Sequence, residues 1–293
     1  MSGTPHSFGG DWTADKLERV ANYLRAYATI MKKQQFRYAY IDAFAGTGYR
    51  TLRRDDEPGQ LMFPELVEAE SQRFLEGSAR QALQVQPRFH KYIFIEKDEN
   101  RFKELRELRT AFPEVARDIV LVNDEANSYL QDMCDNKNWE RHRAVLFLDP
   151  YGMEVEWQTI EAIARTQAID LWLLFPLGIA VNRLLRRDGN IDPAVRNALN
   201  RFFGAEDWYE TFYQTTTRIG LFGPETQRHK VGDFDTIADY MIRRLRTVFA
   251  GVAENPLPLF NSRNNPLYLL CFAVGNPRGA KVAVKIAQDI LKR

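Results

Sequence analysis

Four acidic residues stand where short apolar runs stop: Asp42 in "RYAYIDAF", Glu96 in "KYIFIEKD", Asp124 in "DIVLVND" and Asp149 in "AVLFLDP". Carboxylates gathered at one edge of a sheet repel one another, and a positively charged, ribose-bearing ligand would offset that repulsion. The first run opens into "DAFAGTGYR", where Phe44 precedes Gly46 and Gly48; glycines after a strand let backbone amides approach a ligand at the sheet's carboxyl edge. Glu96, with Lys97 beside it, occupies the place where an acidic side chain accepts both hydroxyls of a ribose. Asp124 could bond an adenine amino group. The expected cofactor set is therefore Asp42, Phe44, Gly46, Gly48, Glu96, Lys97 and Asp124. Each also has a plain structural reading: a turn or cap for Asp42, a surface charge for Glu96, an N-cap for Asp124 and a tight turn for the glycines.

Two cofactors compete for such an edge. The glycines read G-T-G followed by Tyr49, with no third glycine and no immediate helix, so the dinucleotide fingerprint of NAD is incomplete. S-adenosylmethionine carries a sulfonium, an ammonium and a ribose diol, which match the crowded carboxylates better.

The fourth run ends in Asp149-Pro150-Tyr151. Methyl transfer from a sulfonium needs a lone pair aimed at the methyl carbon, and the exocyclic amine of a base has its lone pair delocalised into the ring. A carboxylate and a backbone carbonyl accepting the two amine hydrogens favour the reactive geometry by positioning and electrostatics. A neighbouring aromatic ring can stack on an extruded base. Asp149, the Pro150 carbonyl and Tyr151 are the catalytic candidates. The alternative is that "DPYG" is simply a turn, with Pro at its second position and Gly at its fourth.

Positioning these side chains takes a parallel sheet. The four runs and a fifth, "DLWLLFPL", read as strands buried on both faces. Between them lie segments of helical spacing: "DENRFKELRELRTAF" puts Phe102, Leu105, Leu108 and Phe112 on one face. Strand and helix in alternation predict an α/β, Rossmann-like sheet. The end of the chain departs from that rhythm, with two strands around "NSRNNP" forming a closing antiparallel hairpin before a last helix. The chain reads as a single domain over 1–293. Residues from about 51 to 77 and 178–250 read as insertions, the second of them helical and rich in Arg and aromatics.

Composition narrows the field. The 293 residues can bury a substantial core, and 45% hydrophobic with 27% charged residues excludes a disordered or fibrous design. Forty basic against 39 acidic residues leave no global field, so nucleic-acid binding needs local patches such as Arg50–Arg54, Arg183–Arg187 or Arg243–Arg246. Two cysteines and four scattered histidines give neither a disulfide framework nor a metal site. The longest apolar run, "LWLLFPLGIAV", is too short to span a bilayer. "MSGTPHSFGGDW" lacks the layout of a secretion signal, so a cytoplasmic protein without a membrane partner is expected.

On "DAFAGTG", "EGSARQAL", "FIEKD", "NDEANSYL", "FLDPYG" and "NSRNNPLYLLCFAV", the chain resembles the class I S-adenosylmethionine-dependent methyltransferases, and more narrowly the three-Cys-motif partner protein family. The likeness runs from about residue 36 to 290. It implies a seven-stranded methyltransferase sheet with a closing β-hairpin. Asp42, Gly46 and Gly48 would hold the methionine part, Glu96 the ribose and Asp124 the adenine. "EGSARQAL" with "FLDPYG" is also similar to ribosomal-RNA adenine-N6 methyltransferases. RNA or DNA is the implied substrate, and an iron–sulfur, radical-type protein with three cysteines the implied partner. One departure stands out: the motif of those adenine enzymes has two prolines, and here Tyr151 follows only one. Two functions therefore stay open, a methyltransferase acting on a nucleic acid base and a methyltransferase-fold subunit whose role is binding.

Overall fold

The computed structural model describes residues 11–45, 77–150, 152–220, 223–260 and 264–292. Gly46, Gly48, Tyr151 and nearly all of the 51–77 insertion lie outside the described residues.

Five strands run parallel: β1 (Arg37–Ala43), β2 (Lys91–Ile95), β3 (Ile119–Val122), β4 (His142–Leu148) and β5 (Ile169–Phe175). Helices intervene as the alternating pattern requires. They are α1 (Asp11–Met31) before β1, α2 (77–84) before β2, α3 (Glu99–Leu105) and α4 (Glu107–Ala111) before β3, α5 (Ala126–Asn136) before β4, and α6 (Trp157–Arg165) before β5. After β5 come a single π-helical segment (Leu177–Asn182), α7 (Pro193–Phe203), α8 (Trp208–Phe212), strands β6 (Tyr213–Gly220) and β7 (Gly223–Lys230), and α9 (Phe234–Arg246). The chain closes with β8 (Gly251–Val252), β9 (Leu257–Phe260), β10 (Pro266–Val274) and α10 (Ala280–Lys292).

The main sheet has the order β3-β2-β1-β4-β5-β10-β8, with β9 also on β10. β10 is antiparallel to β5, β8 and β9, so the mostly parallel sheet and the closing hairpin expected from the sequence are both present. The sheet has eight strands, one more than the resemblance implies, because β8 and β9 both pair with β10.

Period-two alternation divides the strands between two cores. Ala144, Leu146 and Leu148 of β4 face a cluster with Leu130, Ile163, Leu199 and Leu245. Val145 and Phe147 face a second cluster with Leu24, Leu83, Phe272 and Leu291. β5 is buried at all of its positions, as a strand covered on both faces must be. At about 1.5–3 kcal/mol per buried large side chain, these layers fix the sheet edge far more firmly than exposed ion pairs such as Lys91–Asp118.

The expectation of a helical 178–250 segment is corrected. β6 and β7 form a separate two-stranded ribbon inside it, paired from Tyr213↔Lys230 to Gly220↔Gly223. Threonines in "QTTT" favour extended backbone over helix. The helices around the ribbon bury their apolar faces: Phe202, Phe203, Trp208, Phe212 and Tyr240 are all inside the first core. Gly204 ends α7 at φ +61, where a Cβ would stand 2.0 Å from Trp157, so left-handed backbone and close packing both require glycine there. Among the described residues no helix is long and apolar enough to cross a membrane.

Candidate functional site

In register, the carboxyl ends of β1, β2, β3 and β4 lie side by side. Asp42 is level with Phe94 and Phe147, Ala43 with Ile95 and Leu148, and Ile95 with Val122. One residue further, Phe44, Glu96, Asn123 and Asp149 leave their strands together. Strand order reverses between β1 and β4, because the chain runs outward through β2 and β3 and then returns. A crevice outside the carboxyl ends at such a switch point is where open α/β sheets bind ligands.

Asp42 is fully buried. Its Oδ2 accepts hydrogen bonds from the Tyr40 hydroxyl and the Ser78 hydroxyl of α2, both at 2.9 Å. Its Oδ1 is buried with no partner among the described residues. Burial pushes this carboxyl up to about 7; the two hydroxyls oppose the shift and the Asp149 carboxylate adds to it. Asp149 follows β4 two residues after Phe147, the residue paired with Asp42 across the β1–β4 boundary. Phe44, immediately after β1, has φ 65, a strained conformation for a non-glycine residue at the point where the chain turns off the sheet.

Glu96 repeats the pattern on the next strand, only 4% exposed. Its Oε1 accepts the Asp98 amide, whereas Oε2 is buried and unpartnered among the described residues. Burial lifts it to about 7 as well, against the pull of the Asp98 amide and the Arg101 guanidinium. The surface-charge reading of Glu96 is thereby corrected: its side chain is buried, and its amide bonds the Val122 carbonyl at the end of β3. Lys97 next to it is exposed, and the Asn123 amide ties down the carbonyls of both residues at 2.9 and 3.1 Å.

Asp124 differs from these two. It is exposed and, among the described residues, accepts only the neighbouring Glu125 amide, at 2.7 Å. The N-cap of α5 is Glu125, which takes the amides of Asn127 and Ser128. Asp124 is thus free of the capping duty that sequence reasoning left open for it. Asp149 is half-buried at the end of β4 and Pro150 is buried behind it.

Several contributors escape a linear reading. Ser78, 36 residues from Asp42, anchors that carboxylate; it stands in the quoted "EGSARQAL" but nothing in its spacing pairs it with Asp42. Buried Asn127 links α5 to the loop after β4: its amide donates to the Glu154 carbonyl, and its Oδ1 accepts from the Glu156 amide and the Thr159 hydroxyl, all within 2.9–3.0 Å. That network fixes the far side of the loop carrying Asp149. Asn127 lies in "NDEANSYL", so the segment was visible though the role was not.

Chemically, the edge offers two buried carboxylate oxygens without a partner among the described residues, and a third acid, Asp149, that acts on Asp42. Buried polar atoms without partners are rare in folded proteins. Donors such as an ammonium or a hydroxyl pair would satisfy them, and a cation would favour their ionised form.

No family model matches the chain, and neither does any curated protein. Solved structures that overlie it include a DUF519-family protein of Legionella pneumophila (13% identity, TM-score 0.46, 97% of this chain and 92% of that one). The spermidine synthase of Thermotoga maritima aligns at 11% identity and TM-score 0.41, over 90% of this chain and 60% of the synthase. An O-methyltransferase of Bacillus cereus in complex with SAH aligns at 11% and 0.30, over 75% and 91%. Likenesses of this size carry no residue-by-residue correspondence.

Proposed function

We propose that this protein is an S-adenosylmethionine-dependent methyltransferase that modifies an amine of a nucleic acid base. The observation that supports it most is the pair of buried oxygens without a partner among the described residues, Asp42 Oδ1 and Glu96 Oε2, on adjacent strands at the switch point. Glu96 takes the ribose hydroxyls, Asp42 serves the methionine end, and exposed Asp124 takes the adenine amine. Bound there, S-adenosylmethionine supplies a methyl group on a positively charged sulfur. Donors from a cationic nucleoside satisfy both orphaned oxygens and draw Glu96 and Asp42 toward their ionised forms.

Asp149 acts on the other reactant. Its carboxylate and the Pro150 carbonyl accept hydrogens of the acceptor amine, turn the nitrogen lone pair out of conjugation and orient it. Asp149 or water then carries away the amine proton. The single proline before Tyr151 supports one competitor, a subunit of this fold that binds a three-cysteine-motif protein without catalysis. Asp42 and Glu96 weigh against it, since a scaffold need not keep at a sheet edge carboxyls that each have an oxygen without a partner among the described residues.

The test is incorporation of labelled methyl from S-adenosylmethionine into separated RNA, DNA and protein extracts. Label in a nucleic acid fraction, lost in Asp149→Ala, is the expected result. Label confined to protein, or none in any fraction, contradicts the proposal.

A further inference from the structure

The β6–β7 ribbon is not accounted for by the cofactor edge. Its strands pair only with each other, and most of its described side chains are exposed polar groups: Gln214, Thr215, Thr216, Thr217, Thr226 and Gln227. Its foot is sewn to the turn at 186–189. The Lys230 amide donates to the Arg187 carbonyl at 2.9 Å, and the Tyr213 hydroxyl donates to the Arg186 carbonyl at 2.9 Å.

This foot gathers cations. Arg186, Arg187 and Arg228 are exposed, and Arg196 and Lys230 are half-buried. The Arg196 and Arg228 guanidinium groups both lie over the ring of buried Tyr209, at 4.5 and 5.0 Å. None of the five forms an ion pair among the described residues. An open hollow of about 500 Å³ lies at the same place, lined by Asn182, Arg187, His229, Lys230 and Asp233, among others. Burial and the neighbouring Arg187 charge hold the Lys230 ammonium below its ordinary range. Asp233 is the one acid on the described lining, and its carboxylate is engaged in capping α9, accepting from the Thr236 amide and hydroxyl.

The five cations outnumber the acids that act on them, Asp233 beside Lys230 and Glu210 near Arg228, so in a chain whose total charge is near zero an anion would offset the local excess. Exposed hydroxyls and amides along a ribbon are the groups that bond phosphate oxygens and sugars. Asn182, at the rim of the hollow, ends the π-helical segment that leaves the carboxyl end of β5 after Pro176. Gly178 in that segment lies so close to the Pro266 carbonyl that a Cβ would sit 1.9 Å from it, so the segment is seated on β10 at the same edge as Asp149.

We infer that the foot of the ribbon binds the phosphodiester backbone of a polynucleotide and presents it to the carboxyl edge. The substrate class rests on the methyltransferase reading above, but binding can be measured without any cofactor.

The experiment is fluorescence anisotropy of a labelled RNA oligonucleotide against salt, for the full chain and for Arg186→Ala/Arg187→Ala and Arg228→Ala, whose side chains are exposed. The expected result is wild-type binding whose log–log salt slope shrinks by about 0.7–0.9 for each cation removed, with about a tenfold or greater affinity loss in the double variant. Circular dichroism checks that each variant is folded. Unchanged affinity and slope in both variants would overturn the inference, even if methyl transfer is observed. Competition by inorganic phosphate, or by phosphatidylserine vesicles, as effective as that by unlabelled RNA would overturn the polynucleotide assignment. RNA binding that follows the cations in a protein that does not bind S-adenosylmethionine would uphold the ribbon and remove the methyltransferase reading.

Discussion

The two edges of the central sheet both carry buried acid, and they treat it differently. At the amino edge, Asp170 is the second residue of the otherwise apolar β5 and faces a cavity of about 450 Å³ between α1 and α10. Burial pushes it up to about 7; a 2.7 Å hydrogen bond from the Tyr23 hydroxyl and the nearby Arg143 guanidinium pull the other way. At the carboxyl edge, Asp42 and Glu96 reach the same value, but each keeps an oxygen with no described partner, and the charge beside Asp42 is the like charge of Asp149. A raised carboxyl therefore does not distinguish function from structure. What sets the carboxyl edge apart is hydrogen-bonding demand unmet among the described residues, next to a like charge at Asp42.

The largest contrast is expected in catalysis. Asp149→Ala should lower methyl transfer by about 100-fold or more, the scale of losing a positioned electrostatic group, while Asp170→Asn leaves the rate near wild type. Equal losses in steady-state assays of both variants would erase the distinction between the edges.

Next comes stability. Tyr23→Phe leaves Asp170 without its donor and should cost about 1–3 kcal/mol in urea unfolding. The loss should be greater above neutral pH, where the carboxylate form needs that donor. Cofactor affinity should not move. A fall in affinity would mean the two edges communicate.

The smallest effect is on the free protein's pH dependence. Asp42, Glu96 and Asp170 all rise from ordinary carboxylate values of 3.8, 4.5 and 3.8 to about 7. Folding therefore favours their protonated forms, and the stability tied to them is full below the ordinary values and lost as pH rises through about 7. Melting temperature should drop across that window, and Glu96→Gln and Asp170→Asn should each flatten part of the drop. A melting temperature that climbs through neutral pH would contradict the raised carboxyls.

Much of the carboxyl edge was legible in the sequence because a strand buried on both faces is a nearly pure apolar run, and the residue that ends it is conspicuous. Asp42, Glu96 and Asp149 were found that way. Asp170 was passed over since it opens a run instead of closing one. The bonds from Ser78 to Asp42 and from Thr159 to Asn127 join segments 36 and 32 residues apart and leave no local trace. The ribbon was missed because, Tyr213 apart, its described side chains are exposed or half-buried and mostly polar, so they lack the apolar alternation that marks a half-buried strand. Arginines on either side of it lent the whole segment a helical look.

Titration calorimetry of S-adenosylmethionine against wild type and Glu96→Gln, repeated from about pH 6 to about pH 8, addresses the orphaned carboxyls most directly. Wild type should bind more tightly as pH rises through about 7, releasing protons on binding, and Glu96→Gln should bind about 10- to 100-fold more weakly with a flatter pH response. No binding heat in wild type, or equal affinities for the two proteins at every pH, would contradict a cationic nucleoside at this edge.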